Sequence, residues 1–148
     1  MIVESFKIMG IAVRTTNENN SAQTAINNLW NQWFVDKVAD RIPNKVSDAI
    51  YNMYTEYESD EHGYYTTILG CSVTTLASIP KGLVGKVIPK SNYKTFVSEG
   101  KLPDCVVKTW ETIWGLKFNR SYMADFDVYD LEKMDPENAK VKTYLSIK

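Results

Sequence analysis

Residues 106–114, VVKTWETIW, set Val106, Trp110, Ile113 and Trp114 at three- and four-residue steps. That spacing predicts a helix with one apolar stripe and two tryptophans on it. Pro103 stands where the first turn of a helix accepts proline, and Asp104 suits the positive helix end. Gly115 is expected to stop the helix in the left-handed conformation, with Leu116 as the apolar residue beyond it. Residues 82–100, GLVGKVIPKSNYKTFVSEG, precede this helix as an extended segment in which Pro89 marks a bulge or an edge. After it, residues 121–129 (SYMADFDVY) read as a strand, DPEN at 135–138 as a turn, and AKVKTYLSIK as a closing strand. The order is strand, helix, strand, strand.

The same order occupies the first half. Residues 5–15, SFKIMGIAVRT, read as a strand and TNENN at 16–20 as a polar turn. Ser21 is an expected N-cap. Ala22, Ala25, Ile26, Leu29, Trp30, Trp33, Phe34 and Val38 then form a helical stripe that ends before Ile42-Pro43-Asn44. DAIYNMYTEY at 48–57 and YYTTILGCSV at 64–73 read as two strands joined by the acidic hairpin loop ESDEHG. We read a duplication with pseudo-repeats at about 5–76 and 82–148, within one domain covering 1–148. It matches in element order and in tryptophan-bearing helices, not in residue identity. Alternating strands with two helices to cover one face imply an α+β fold: an antiparallel sheet, helices packed on one side, and a cleft between the halves.

Composition excludes several classes. Of 148 residues, 44% are apolar and 24% charged, so the chain is an ordinary globule and not a disordered one. The formal charge of -1 argues against direct nucleic-acid binding. Cys71 and Cys105 belong to no metal-binding or disulfide pattern, which points to buried thiols in a reduced setting. The start, MIVESFKIMGIAV, carries Glu4 and Lys7 in its apolar stretch and is no signal peptide. No run reaches membrane-spanning length, so no membrane association and a cytoplasmic location are expected. Glu56, Glu58, Asp60, Glu61 and His62 read as a solvated hairpin tip, because a lone histidine without ligand spacing makes no metal site. No hydrolase, zincin, P-loop or dinucleotide motif is present, and no cofactor is expected.

What remains unusual is the aromatic content, 12% of the chain. Strand alternation puts Asp125, Asp127 and Tyr129 on one face, with Phe126 and Val128 on the other. That acidic face is either solvated or turned into the cleft. Tyr51 and Tyr54 fall on opposite faces of their strand, so both line one cleft only if a bulge intervenes. Each is also explained as a half-buried strand tyrosine. Core packing is the default for tryptophans at helical spacing, but the indole N–H needs a partner. Four on two helices exceed what filler requires, so Trp30, Trp110 and Trp114 are candidates for the cleft, foremost Trp110 or Trp114.

Several strings resemble the GyrI-like domain, the effector-binding domain of AraC- and MerR-type multidrug-responsive activators. They are NNLWNQWF (27–34), AIYNMYTEY (49–57), IPKSNYKTFVSEG (88–100), VVKTWETIW (106–114), ADFDVYD (124–130) and YLSIK (144–148). The resemblance covers the chain from about Phe6 to its end. It implies two strand-helix-strand-strand units and a cleft that takes amphipathic, often cationic, compounds between aromatic walls, with an acid at its base. It favours a cleft-facing Asp127, with Tyr93 and Tyr129 at recurrent aromatic positions. Where the family commonly has Glu in a DFExY string, this chain has Asp127, shorter by one methylene, roughly 1.5 Å.

The expected function is therefore that of a stand-alone protein binding or sequestering an amphipathic, cationic small molecule. Asp127, Tyr93, Tyr129, Tyr51, Tyr54, Trp110, Trp114 and Trp30 are its candidate ligand-binding residues. No residues are left over for a helix-turn-helix, so control through direct DNA contact is not expected. The alternative is a hydrolase of strained, cyclopropane-containing electrophiles, with Asp127 as the assisting acid. A protein-interaction role such as gyrase inhibition is a further alternative on which the residues are silent.

Overall fold

The computed structural model describes residues 1–18, 21–59, 63–116, 119–130, 135 and 137–148. Asp60, Glu61 and His62 of the acidic hairpin loop lie outside them.

The strands are β1 (Ile2–Val3), β2 (Phe6–Thr16), β3 (Ile50–Thr55), β4 (Tyr64–Val73), β5 (Val84–Ile88), β6 (Ser91–Gly100), β7 (Ala124–Tyr129) and β8 (Ala139–Ile147). The helices are α1 (Ser21–Val35), α2 (Val38–Arg41) and α3 (Asp104–Gly115). All strands join one antiparallel sheet in the order β1-β6-β8-β7-β3-β4-β2-β5. The order is a palindrome of roles: each unit contributes its first, third and second strand from the outside inward, and the units meet where β7 pairs β3. The fold is the α+β architecture with duplicated units that the residue pattern implies.

Three local readings need correction. The extended segment at 82–100 is two strands, β5 and β6, and Pro89-Lys90 is the corner between them. Proline fits there because neither strand has to continue through it. Gly115 is the last residue of α3 and has no positive φ; Leu116 ends the helix in extended conformation, at φ -98° and ψ 154°. The first helix is also interrupted, because Lys37 at φ 49° separates α1 from α2.

Short connections force the sheet to curl. β1 lies at one edge and β2 next to the other, yet only Glu4 and Ser5 join them. Three residue steps reach at most about 11 Å, whereas six strand spacings in a flat sheet measure about 29 Å. The corner between β5 and β6 makes the same demand from the opposite edge. The two corners meet, with Lys90 Nζ 3.4 Å from Glu4 Oε1. Inside the curl Phe6 and Phe126 sit with ring centroids 5.5 Å apart, although their strands are three spacings apart in order, about 14 Å if flat.

The curl explains two cores. Its inner face packs Ile8, Met53, Ile68, Ile88, Tyr93 and Phe126, with no helix residue among them. The other face carries Met9, Ile11, Tyr54, Leu69, Tyr129 and Leu145, covered by Leu29 and Trp33 of α1 and by Val106, Trp110 and Ile113 of α3. Both faces of β2 and β4 are thereby buried, which is why their middles read as unbroken apolar runs. At the register pair Gly10–Gly70 a Cβ on Gly10 would stand 2.0 Å from the Leu69 carbonyl oxygen, so β2 and β4 approach there as closely as only glycine permits.

Candidate functional site

The central pair of strands makes the floor of a cavity. In the β3–β7 ladder Asn52 lies opposite Asp127, Tyr54 opposite Asp125 and Ile50 opposite Tyr129. Asn52 and Tyr54 come from the first unit and Tyr129 from the second. α1 stands on one side of this floor and α3 on the other, and about 290 Å³ is left between them. That volume lies at the lower end of small-molecule sites. Ile26 and Trp30 of α1 face Val106, Val107, Trp110 and Trp114 of α3 across it.

The aromatic walls touch in sequence. Tyr54 meets Trp110 edge to face at 5.2 Å between centroids, and Trp30 meets Tyr129 at 5.0 Å. Trp114 follows Trp110 at 6.5 Å and is 43% exposed, which places it at the mouth. Tyr65 and Tyr57 extend the aromatic lining beyond Tyr54, at 6.0 Å and then 5.6 Å. Such tilted and edge-on contacts each add to area burial and fix the rings in place.

Asp127 sits behind this wall, wholly buried. Tyr54 donates its hydroxyl to Oδ2 at 2.8 Å, and Trp110 Nε1 donates to both carboxylate oxygens at 3.2 Å. The Thr143 hydroxyl of β8 donates to Oδ1. Burial nevertheless lifts the Asp127 pKa to about 6, against the downward pull of Thr143, Tyr54 and Trp110. None of the ion pairs among the described residues engages it. Asp127 is not itself part of the cavity surface; Tyr54 and Trp110 stand between it and the space. Its charge therefore acts through two rings whose O–H and N–H it holds.

A second acid closes the other end. Asp125 Oδ2 accepts from Tyr57 at 2.6 Å and from Arg120 Nη2 at 2.9 Å, and Oδ1 accepts from the Ser146 backbone and hydroxyl at 2.7 and 2.9 Å. Arg120 and Tyr57 reach the cavity, so this end carries a neutralised pair where the Asp127 end carries an acid without an ion-pair partner among the described residues. Burial raises the Tyr57 hydroxyl well above its ordinary range, and the Asp125 charge adds to that, which keeps it a donor.

The geometry brings Tyr54, Tyr129, Trp110, Trp114 and Trp30 to the cavity and puts Asp127 behind it. It does not bring Tyr51 or Tyr93. Both belong to the inner face of the curl: Tyr51 packs on Phe6 and Phe126, and Tyr93 on Phe126 and Tyr144. Tyr51 is excluded by the alternation that admits Tyr54, since no bulge intervenes in β3. Tyr93 is 2% exposed, and no described residue reaches its hydroxyl.

Residue pattern alone does not single out Tyr57, Tyr65, Asn52, Thr143 or Arg120. Tyr57 joins Tyr54 on one side only because Glu56 turns the chain at φ 52°, held by Arg14 on its carbonyl at 2.7 Å and Lys86 on its carboxylate at 3.2 Å. Alternation from Tyr54 predicts the opposite face for Tyr57, so no local signal exists. Thr143 carries a local signal, a β-branched polar residue in register with Ala139, Val141 and Leu145 on the buried face of β8. Among the described residues no group of His, Cys, Asp and Glu is placed to hold a metal, and no helix is long and apolar enough to cross a membrane.

Known proteins share this fold. The integron cassette protein VCH_CASS2 of Vibrio cholerae superposes with a TM-score of 0.77 at 26% identity, over 100% of this chain and 94% of that one. SAV2435, solved bound to tetraphenylphosphonium, superposes at 0.83 over 100% and 92% of the two chains; at 18% identity the likeness is one of fold. Protein YobU of Bacillus subtilis (strain 168) is 29% identical over 147 residues, covering 96% of this chain and 92% of its own. The family model of Cass2, the integron-associated effector binding protein, matches residues 2–147. With that match over nearly its whole length, the chain belongs to the Cass2 family of integron-associated effector binding proteins.

Proposed function

We propose that the cavity between α1 and α3 binds amphipathic, cationic small molecules, and that the protein acts as a stand-alone binder or sequestering protein for them. The observation that carries this reading is Asp127: a buried carboxylate with no ion-pair partner among the described residues, bonded to the O–H and N–H of two wall rings. Donating to an anion enriches a ring in electron density, and an electron-rich face attracts a cation by about 0.5–2 kcal/mol per ring. The apolar faces of Trp30, Trp114 and Tyr129 suit the organic body of such a ligand. YobU and VCH_CASS2, which this chain spans over 92% and 94% of their lengths, are proteins of about its own size. The tetraphenylphosphonium held by SAV2435 is a compound of this class.

The hydrolase alternative needs Asp127 to reach the reacting bond. Three donors hold its carboxylate and two of them screen it from the space, which favours binding over turnover.

Tetraphenylphosphonium and tetraphenylborate share a shape and differ in the sign of their charge. Titrated against tryptophan fluorescence at pH 7.5, the phosphonium is expected to bind at least tenfold tighter than the borate. Asp127→Asn is expected to erase most of that preference. Equal binding of the two ions by the native protein would sink the reading.

A further inference from the structure

A carboxylate on the cavity wall itself has no part in the site as described. α3 turns Val106, Val107, Trp110, Glu111 and Trp114 toward the space, an apolar and aromatic stripe with one acid in it. Glu111 is exposed at the mouth, between Val107 one turn before it and Trp114 one turn after. Across the opening α1 presents Gln23 and Asn27, both neutral. Of the formally charged residues lining the cavity, the other is Arg120, which is tied to Asp125 at 2.9 Å. No described lysine or arginine forms an ion pair with Glu111. An exposed glutamate is ordinary on a helix; what sets this one apart is its place on the cavity wall between Val107 and Trp114.

We propose that Glu111 is a specificity-determining residue that pairs with a second cationic centre of the ligand, so that the preferred ligands are elongated aromatic dications. This rests on the cation-binding reading of the same cavity. One positive centre lies against Tyr54 and Trp110, backed by Asp127 at the floor, and the other meets Glu111 in the mouth. The two carboxylates thus serve one cavity, Asp127 from behind the wall through its rings and Glu111 directly. Gln23 and Asn27 leave the second cation unopposed. Because Tyr54 and Trp110 stand between Asp127 and the space, direct pairing is available at the outer carboxylate.

Ethidium and propidium test this, since they share one phenanthridinium ring and propidium adds a quaternary ammonium arm. Each is titrated by its own fluorescence against native protein, Glu111→Gln and Asp127→Asn. Native protein is expected to bind propidium more tightly than ethidium. Glu111→Gln is expected to weaken propidium about three- to fivefold, the upper range of an exposed ion pair, while ethidium changes by less than twofold. The exposed position of Glu111 keeps the melting temperature of the variant unchanged, which a thermal scan checks. If ethidium binds and depends on Asp127 but propidium ignores Glu111→Gln, or both dyes weaken equally, the role of Glu111 is overturned and the cation-binding reading stands. If neither dye binds the native protein, both are overturned.

Discussion

Tyr54 on β3 donates to Asp127 Oδ2 on β7 at 2.8 Å, a bond between residues 73 positions apart that ties the two units together at the cavity floor. Three donors favour the ionised acid, yet burial lifts its pKa from 3.8 to about 6. The folded protein thus keeps a proton that the unfolded chain has already released. The stability from this group is full below about pH 4, falls as pH rises toward 6, and is lost above it. A rise of this size corresponds to about 3 kcal/mol. Urea unfolding between pH 4 and 8 should record that loss in the native protein, and Asp127→Asn should lack this component of the slope. A native profile that is level across this range would contradict the burial cost assigned to Asp127.

Ligand binding should titrate with the opposite sign. A cation in the cavity stabilises the ionised carboxylate and lowers its pKa, so affinity for tetraphenylphosphonium should rise from pH 5 to 7 and then level. Calorimetry near pH 6 in buffers of different ionisation heat should detect protons released on binding. Proton uptake, or none, would show that Asp127 does not sense the ligand.

Tyr54→Phe separates the hydroxyl from the ring. The edge contact with Trp110 at 5.2 Å survives, and the donor to Asp127 is lost. A hydrogen bond to a charged group contributes about 1.5–3 kcal/mol, so a loss near 2 kcal/mol is expected at pH 8. Because that bond holds the Asp127 pKa down, the inflection in the stability profile should move to higher pH. A merely space-filling Tyr54 would leave the inflection where it is.

How much of this was legible in the residues depends on the range of the signal. Helical stripes and strand alternation act over a few positions, and they place α1, α3, the β3 and β7 faces, and Asp127 beside Tyr129. They fail where geometry is decided across the sheet. Nothing local says that Glu4-Ser5 and Pro89-Lys90 must bridge opposite edges, and without that curl the inner core has no reason to exist. Tyr93 and Tyr51 are the casualties, since aromatic residues on a strand read alike whether they face a cavity or another strand. The unbroken apolar runs of β2 and β4 did carry the information, because a sheet open on one face has no need of them.

Gly10→Ala probes the close approach behind that curl. The added carbon meets backbone atoms, the Leu69 carbonyl oxygen and the Gly70 Cα, and no flexible side chain is there to yield. Strand separation or a local shift has to absorb it, at a cost of about 1–3 kcal/mol or more. Equilibrium denaturation should show the midpoint falling with an unchanged slope. A neutral Gly10→Ala would mean that β2 and β4 separate at that pair more readily than their register allows.

Tyr93→Phe distinguishes a cavity residue from an inner-core residue. The ring packs against Phe126 at 5.3 Å and Tyr144 at 6.1 Å, contacts that phenylalanine retains. The hydroxyl is buried without a described partner, and leaving such a group unsatisfied costs about 1–3 kcal/mol. Removing it should leave the protein as stable or up to about 1 kcal/mol more stable, with tetraphenylphosphonium affinity changed by less than twofold. Trp30→Ala, which opens the α1 wall facing Tyr129, should by contrast weaken the same ligand several-fold. A Tyr93→Phe variant that lost affinity like Trp30→Ala would return Tyr93 to the site and refute its burial on the inner face.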